Sequence, residues 1–269
     1  MKEMIEGEFL FLGTGGSMGV PILSCRCAVC LSKNPLNKRL RSSGLISVNG
    51  KNILIDCGPD FRAQALRADI NVVDGMILTH AHYDHIGGLD DLRAYFVFRE
   101  DSIPCFSSNE TAQDIKRRFD YMFKETQSNL VITPKIILHE FESDRGTIDF
   151  LGINIKYLSY SQILMPIKGI ICGNLAYISD IKNYPDSILD DLKNIETLVI
   201  SALRFTHSAM HFTVDEAIEF ARKVCAKRTF LTHIAHELDH EKANAYLPSN
   251  IQMAYDGLKL TFQTEKNYV

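Results

Sequence analysis

The sequence lacks the marks of a membrane protein, a secreted protein or a general nucleic-acid binder. No apolar run in its 269 residues reaches the ~20 residues that a bilayer-spanning helix needs. The opening stretch, Met1-Lys2-Glu3-Met4-Ile5-Glu6-Gly7-Glu8, carries acids and has no apolar signal-peptide core, so the expected compartment is the cytoplasm. A formal net charge of −4 gives no broad attraction to nucleic acid or to an anionic membrane. Seven cysteines are an odd number and argue against a complete disulfide framework; in a reducing compartment, clustered thiols more often bind metal. No linker, internal repeat or low-complexity tract divides the chain. Hydrophobic residues make up 46% and charged residues 23%, ordinary for a globular core, and residues 1–269 read as one domain.

What the chain does have is His80-Ala81-His82-Tyr83-Asp84-His85, in which four of six residues are good transition-metal ligands. The block follows the apolar run 72–79, which reads as a buried strand. Residues two apart in a strand share a face, so His80 and His82 are expected to grip one ion together. Asp84 and His85 follow where Ile86-Gly87-Gly88 turns the chain, and are expected to hold a second ion from the loop. This is a compact recipe for a two-metal hydrolytic site.

The same form recurs. Ile53-Leu54-Ile55-Asp56, Tyr177-Ile178-Ser179-Asp180 and Phe230-Leu231-Thr232-His233 are each an apolar strand ending in a metal-competent residue. Rigid strand ends are where sites in mixed α/β folds gather. Asn49-Gly50 between two apolar runs is a hairpin signal. Helices are expected over 61–68, near 89–99, over 111–123 and over 213–226, with several strands between 130 and 160. Thr213 and Glu216 have the spacing of a capping box. Gly13-Thr14-Gly15-Gly16 lacks the Lys-Ser/Thr ending of a phosphate loop and reads as a tight turn. Tyr121 and the stripe 95–98 read as core, and Cys57, Cys105, Cys172 and Cys225 as packing residues.

A second metal motif is Cys25-Arg26-Cys27-Ala28-Val29-Cys30. Three thiolates in six residues can wrap one Zn²⁺, which needs a fourth ligand for a closed tetrahedral site; His236, three residues after His233, is the candidate.

The HxHxDH block with these strand ends resembles the metallo-β-lactamase superfamily over nearly the whole chain. The resemblance implies an αββα sandwich, two mixed sheets packed face to face with helices outside. It implies His80 and His82 on metal one, with Asp84, His85 and His233 on metal two. Asp180 becomes a carboxylate bridging both ions, with a hydroxide between the ions as nucleophile. Asp84 is then catalytic as well as a ligand, and Asp56 braces the ligand loop without binding metal. The Gly-Thr-Gly-Gly-Ser loop, the cysteine cluster and Leu-Thr-His-Ile-Ala-His narrow the likeness to the phosphoribosyl cyclic phosphodiesterase branch, associated with the carbon–phosphorus lyase pathway. That branch implies a structural zinc on Cys25, Cys27, Cys30 and His236, a homodimer, and His211 as the acid that protonates the leaving oxygen.

One position departs from the family pattern. Where relatives place a third histidine of metal one, this chain has Gln162, a neutral and weaker ligand. The expected activity is hydrolysis of a cyclic or small phosphodiester by two divalent ions (Zn or Mn, or Fe), with Arg204 and His207 as candidate substrate contacts. A tRNA 3′-end endonuclease is the alternative, though the chain has no basic, Gly-rich insertion to grip RNA. A non-catalytic metal-binding scaffold is the other, prompted by Gln162.

Overall fold

The computed structural model describes residues 3–124 and 132–265, so residues 130–131 of the expected central strands lie outside it. The first sheet is built from β1 (Met4–Gly13), β2 (Ser43–Val48), β3 (Lys51–Ile55), β4 (Gly75–Ile77), β5 (Ile103–Ser107), β6 (Ile136–Glu140) and β14 (Lys259–Glu265). The second is built from β7 (Gly146–Phe150), β8 (Ile153–Gln162), β9 (Met165–Cys172), β10 (Leu175–Ile178), β11 (Thr197–Ser201), β12 (Arg228–Thr232) and β13 (Ile251–Met253). Their orders are β14-β1-β2-β3-β4-β5-β6 and β7-β8-β9-β10-β11-β12-β13.

Both sheets follow one plan. Pairings among β14, β1, β2 and β3 are antiparallel, and those from β3 through β6 are parallel. Likewise β7 to β10 pair antiparallel and β10 to β13 parallel. This repeat is one of topology, and no repeat of sequence announces it. It makes β3 and β10 equivalent, and each is followed closely by an aspartate, Asp56 or Asp180.

Burial on both faces explains why Phe9-Leu10-Phe11-Leu12 is apolar without alternation. Phe9 and Phe11 point between the sheets, against Tyr177 and Phe230. Leu10 and Leu12 point outward, into the layer holding Phe61, Leu89, Leu92 and Ile115. The second sheet's outer face buries Ile188, Val214, Ile218 and Phe220. The result is the four-layer αββα sandwich. Cutting Phe9 to alanine in the middle layer would cost roughly 3–5 kcal/mol.

Local signals were obeyed closely in places. The helix Phe61–Ala68 has the expected bounds. Asn49 and Gly50 both adopt positive φ between β2 and β3, as a type I′ turn requires. Thr213 and Glu216 form the complete capping box at the start of the helix Val214–Val224. Other expectations need correction. The strand before the histidine block is only Gly75–Ile77, so strand periodicity does not place His80 and His82. The 111–123 segment is two helices, Asn109–Arg118 and Asp120–Phe123, broken at Phe119 (φ −119°, ψ 41°). Phe96 is core, but Phe98 is 91% exposed, and Val97, Tyr121 and Cys225 are also exposed.

Candidate active site

His80 lies in the extended segment after β4, and His82 precedes the one-turn helix Tyr83–Ile86 that carries Asp84 and His85. That helix is seated by close backbone contact with residues 57–58. Cys57 N–H donates to His85 O (2.7 Å), and Gly88 N–H donates to Cys57 O (2.9 Å). A Cβ on Gly58 would lie 2.0 Å from Asp84 O, and one on Gly88 2.0 Å from Gly58 O, so glycine alone fits at both places.

Asp56, fully buried, organises the donors. It accepts from Thr79 N–H (2.8 Å) and from the Thr79 hydroxyl (2.8 Å to Oδ2), and its Oδ2 lies 2.6 Å from His85 Nδ1. With its proton on Asp56, the Thr79 oxygen accepts from His80 Nδ1 at 2.9 Å. With Nδ1 of both rings so engaged, Nε2 is the nitrogen left for a metal, one that His85 would offer on losing its proton. His80 Nε2 and His82 Nδ1 face each other at 2.9 Å. Thr79 was not foreseen; its place directly before His80 was the available signal.

Asp180 and His233 come from the ends of β10 and β12. Like Asp56, both sit in the left-handed region (φ 60°, 58° and 55° for Asp56, Asp180 and His233). Non-glycine residues pay for that conformation, and it swings each side chain off the strand end into the cleft. Asp180 works from both oxygens: Oδ1 is 3.0 Å from His233 Nε2 and 3.5 Å from His211 Nδ1, and Oδ2 is 3.3 Å from His85 Nε2. Asp84 Oδ2 lies 3.4 Å from His85 Nε2 and 3.6 Å from His233 Nε2.

Burial opposes charge throughout this cluster, and the pairings override it in opposite directions. The histidines hold Asp84 and Asp180 below the usual carboxylate range, although burial alone would raise them. Against the same burial, Asp180 leads the carboxylates that hold His85 and His233 above the usual histidine range. His80 is pushed well down by burial and by His85. His211 falls to about 4, by burial first and then by His233, on which it stacks at 4.6 Å.

The residues fit divalent ions. Ligand atoms of Asp84, His85 and His233 lie within 4.8 Å of one another, as do those of His80, His85 and Asp180 and those of Asp180, His211 and His233. Nε2 of His85 and both ring nitrogens of His233 are buried without a well-formed hydrogen bond, and the Nε2 atoms have only carboxylate neighbours at 3.0–3.6 Å. Buried nitrogens are rarely left so unless an ion or water satisfies them. Mixed imidazole and carboxylate donors suit Zn, Mn or Fe.

Gln162 is 2% exposed at the end of β8, inside the same cleft. Its Nε2 lies 3.1 Å from both ring nitrogens of His211, so the amide nitrogen is turned to that ring. The cleft, about 350 Å³, is also lined by Ser17, Tyr83 and Met210, none of them foreseen. A larger hollow of about 420 Å³ beside Phe61, Leu66 and Tyr95 carries none of these histidines. Arg204 and His207 do not line the cleft. Arg204 pairs with Glu237 (3.4 Å) and donates to His207 O (3.2 Å), and the His207 ring is exposed.

The cysteine cluster closes as a second centre. Sγ of Cys25, Cys27 and Cys30 lie 3.2, 3.5 and 3.6 Å from His236 Nδ1, and all four ligand atoms lie within 4.8 Å of one another. The Cys30 backbone N–H, ahead of burial, governs Cys27, whose thiol is lowered to about 6; burial raises Cys30 to about 11. The glycine loop ties this centre to the cleft. Gly16 N–H donates to Ile234 O and Ile234 N–H to Thr14 O, each at 2.9 Å, between His233 and His236.

The profile of the family described as β-lactamase superfamily domain matches residues 51–234, about two thirds of the chain. The chain belongs to the metallo-β-lactamase superfamily. Within the superfamily it is PhnP-like. A solved diphosphatase from the PhnP family is 35% identical with a TM-score of 0.91, covering 98% of this chain and 100% of that one. An octanoyltransferase of Porphyromonas gingivalis is 35% identical over 93% of this chain, which spans only 50% of that protein. A ribonuclease Z of Listeria welshimeri is 24% identical over 93% of this chain and 97% of its own length. Among the described residues, no helix is long and apolar enough to cross a membrane.

Proposed function

We propose that the protein is a metal-dependent phosphodiesterase acting on cyclic or small phosphodiesters, with residues 1–269 as one catalytic domain. The observation that carries this reading is the overlap of two ligand groups, His80-His85-Asp180 and Asp84-His85-His233, each within 4.8 Å, with His82 Nδ1 facing His80 Nε2 at 2.9 Å. His80 and His82 would hold one divalent ion, Asp84, His85 and His233 the other, and Asp180 both. When bound, such ions supply Lewis acidity to the phosphoryl oxygens and make hydroxide available near neutral pH. Cys25, Cys27, Cys30 and His236 would hold a structural zinc.

The chain's own residues do the rest. Asp56 and Thr79 engage Nδ1 of His85 and His80, which leaves Nε2 for a metal. His211, reached from Asp180 and Gln162, stands where it can protonate the departing oxygen, a role typically worth about 10²–10⁴-fold. Burial and then His233 lower its ring to about 4, so the acid role requires a proton taken up together with the anionic diester. The capping box of Thr213 and Glu216 anchors the chain two residues beyond His211.

The test is turnover of bis-p-nitrophenyl phosphate and of five-membered cyclic phosphates by the metal-loaded protein. Absence of metal-dependent hydrolysis of either refutes the reading. The likeness to ribonuclease Z supports a second reading, RNA hydrolysis, which requires RNA binding that weakens steeply with salt.

A further inference from the structure

We infer that the cleft continues onto an apolar shelf which binds a hydrocarbon group of the substrate, an alkyl or aryl substituent on the ester, through Leu164. The inference rests on the phosphodiesterase reading and names the substrate class within it.

The shelf is a hollow of about 320 Å³ lined mainly by Ala81, Leu164, Met165 and Pro166. It shares no lining residue with the cleft, but the two are lined by neighbouring residues at two places along the chain. Ala81 lies between His80 and His82, and Leu164 and Met165 follow Gln162 by two and three residues.

The turn that builds the shelf is costly. Gln162 pairs with Met165, leaving the two-residue loop Ile163-Leu164 between β8 and β9. Ile163 adopts φ +53°, where a β-branched side chain costs on the order of 1–3 kcal/mol. Leu164 is 93% exposed and Ile163 49%. The β2–β3 hairpin meets its positive φ with Asn49-Gly50, whereas this turn has its one positive φ at Ile163, where glycine would be relaxed. A strained turn that holds a leucine in solvent next to Gln162 points to a use for that leucine.

Charge selects the occupant. Among the described residues no lysine or arginine lines either the cleft or the shelf, and Glu110 and Asp114 line the shelf. The nearby Arg117 and Arg118 are paired with Asp114 at 2.5 and 2.9 Å. A second phosphate or an RNA backbone would find no lining cation there, whereas a hydrocarbon finds leucine, methionine, proline and alanine.

The experiment uses the metal-loaded protein and the p-nitrophenyl phosphate diesters of methanol, butanol and octanol. The expected kcat/KM rises up to about fourfold per methylene until the shelf is filled, the factor for burying one CH₂. In Leu164→Ser the octyl-to-methyl ratio of kcat/KM falls about tenfold. In parallel, calorimetry compares methylphosphonate with octylphosphonate, and octylphosphonate is expected to bind more tightly with a negative heat-capacity change. That arm decides the inference even if no diester is hydrolysed, an outcome that sinks the phosphodiesterase reading alone. The inference is overturned by equal binding of the two phosphonates, or by an octyl-to-methyl ratio that Leu164→Ser leaves unchanged. It is also overturned if Leu164→Ser changes the oligomeric state while preserving the ratio, which would assign the tip to a second copy of the chain.

Discussion

Gln162→His puts an imidazole at the one position where the cleft offers an amide in place of the family's histidine. The two halves of the centre are unequal as they stand. Asp84, His85 and His233 form one cluster, beside which Asp180 sets Oδ2 toward His85 and Oδ1 toward His233. The other half has His80 and His82, facing at 2.9 Å, the same Asp180, and Gln162, whose amide nitrogen is turned to His211. An N–H cannot ligate a cation, and the amide oxygen is a neutral donor. Even a group that only supports a ligand is worth about 10–100-fold in metal affinity, so a full imidazole should contribute at least that, about 1.4–2.7 kcal/mol. Stepwise chelation with element analysis should therefore show two cleft ions in the wild type that differ at least tenfold in affinity. Gln162→His should draw the two together, and Gln162→Ala should not. The cysteine-held ion is identified by repeating the titration on Cys25→Ser. Equal, tight binding of both cleft ions by the wild type, or no change in Gln162→His, would refute the reasoning.

His211→Ala should lower turnover of an alkoxide-releasing cyclic phosphate by about 10²–10⁴-fold and spare an ester whose leaving group needs no proton; equal losses on both would remove the acid role. Cys25→Ser should lose one zinc and melt earlier. If free zinc exceeds its dissociation constant a thousandfold, the loss is about 4 kcal/mol, and calorimetry with and without chelator reads it. His240 supplies a pH prediction away from the cleft. Its ring, 7% exposed, accepts from Arg39 at 3.0 Å through Nδ1, and burial followed by Arg39 lowers it to about 4. The unfolded ring takes up a proton at higher pH than the folded one. Its contribution is therefore full above about pH 6.5, falls as pH drops, and is lost near pH 4, at most about 3 kcal/mol. Urea unfolding from pH 7.5 to 4 should fall less steeply for His240→Gln than for the wild type, and parallel curves would contradict this.

Much of the molecule was legible because local chemistry and tertiary context agreed. Asn49-Gly50 and the Thr213–Glu216 box each solve a backbone problem within four residues, so nothing distant was needed to read them. The ligand block was legible as chemistry but misread as geometry. Asp74 accepts from Asn52 N–H at 2.9 Å, at the entry to a strand of only three residues. Before Asp74 the chain is a loop in which Val73 is buried and Val72 exposed, and periodicity cannot tell that from a strand. What places His80 is the carboxylate of Asp56, 24 residues earlier, acting through Thr79. The roles of Ser17, Tyr83 and Met210 needed the folded cleft, because serine, tyrosine and methionine carry no signature that separates a rim residue from any other. Cys225 shows the reverse case. A residue type that is usually buried sits exposed because the helix ends there, in the left-handed conformation.

The repeated plan of the two sheets gives the cleft a mechanical character. Asp56 and the histidine block belong to the first sheet, and Asp180, His211 and His233 to the second. Neither half owns a full set of donors, so ions bound in the cleft would act as rivets between the halves. Their binding energy is spent partly on holding one sheet against the other. Stripping them should loosen the seam along the cleft, with faster amide exchange at the ends of β3, β4, β10 and β12, before it unfolds either half.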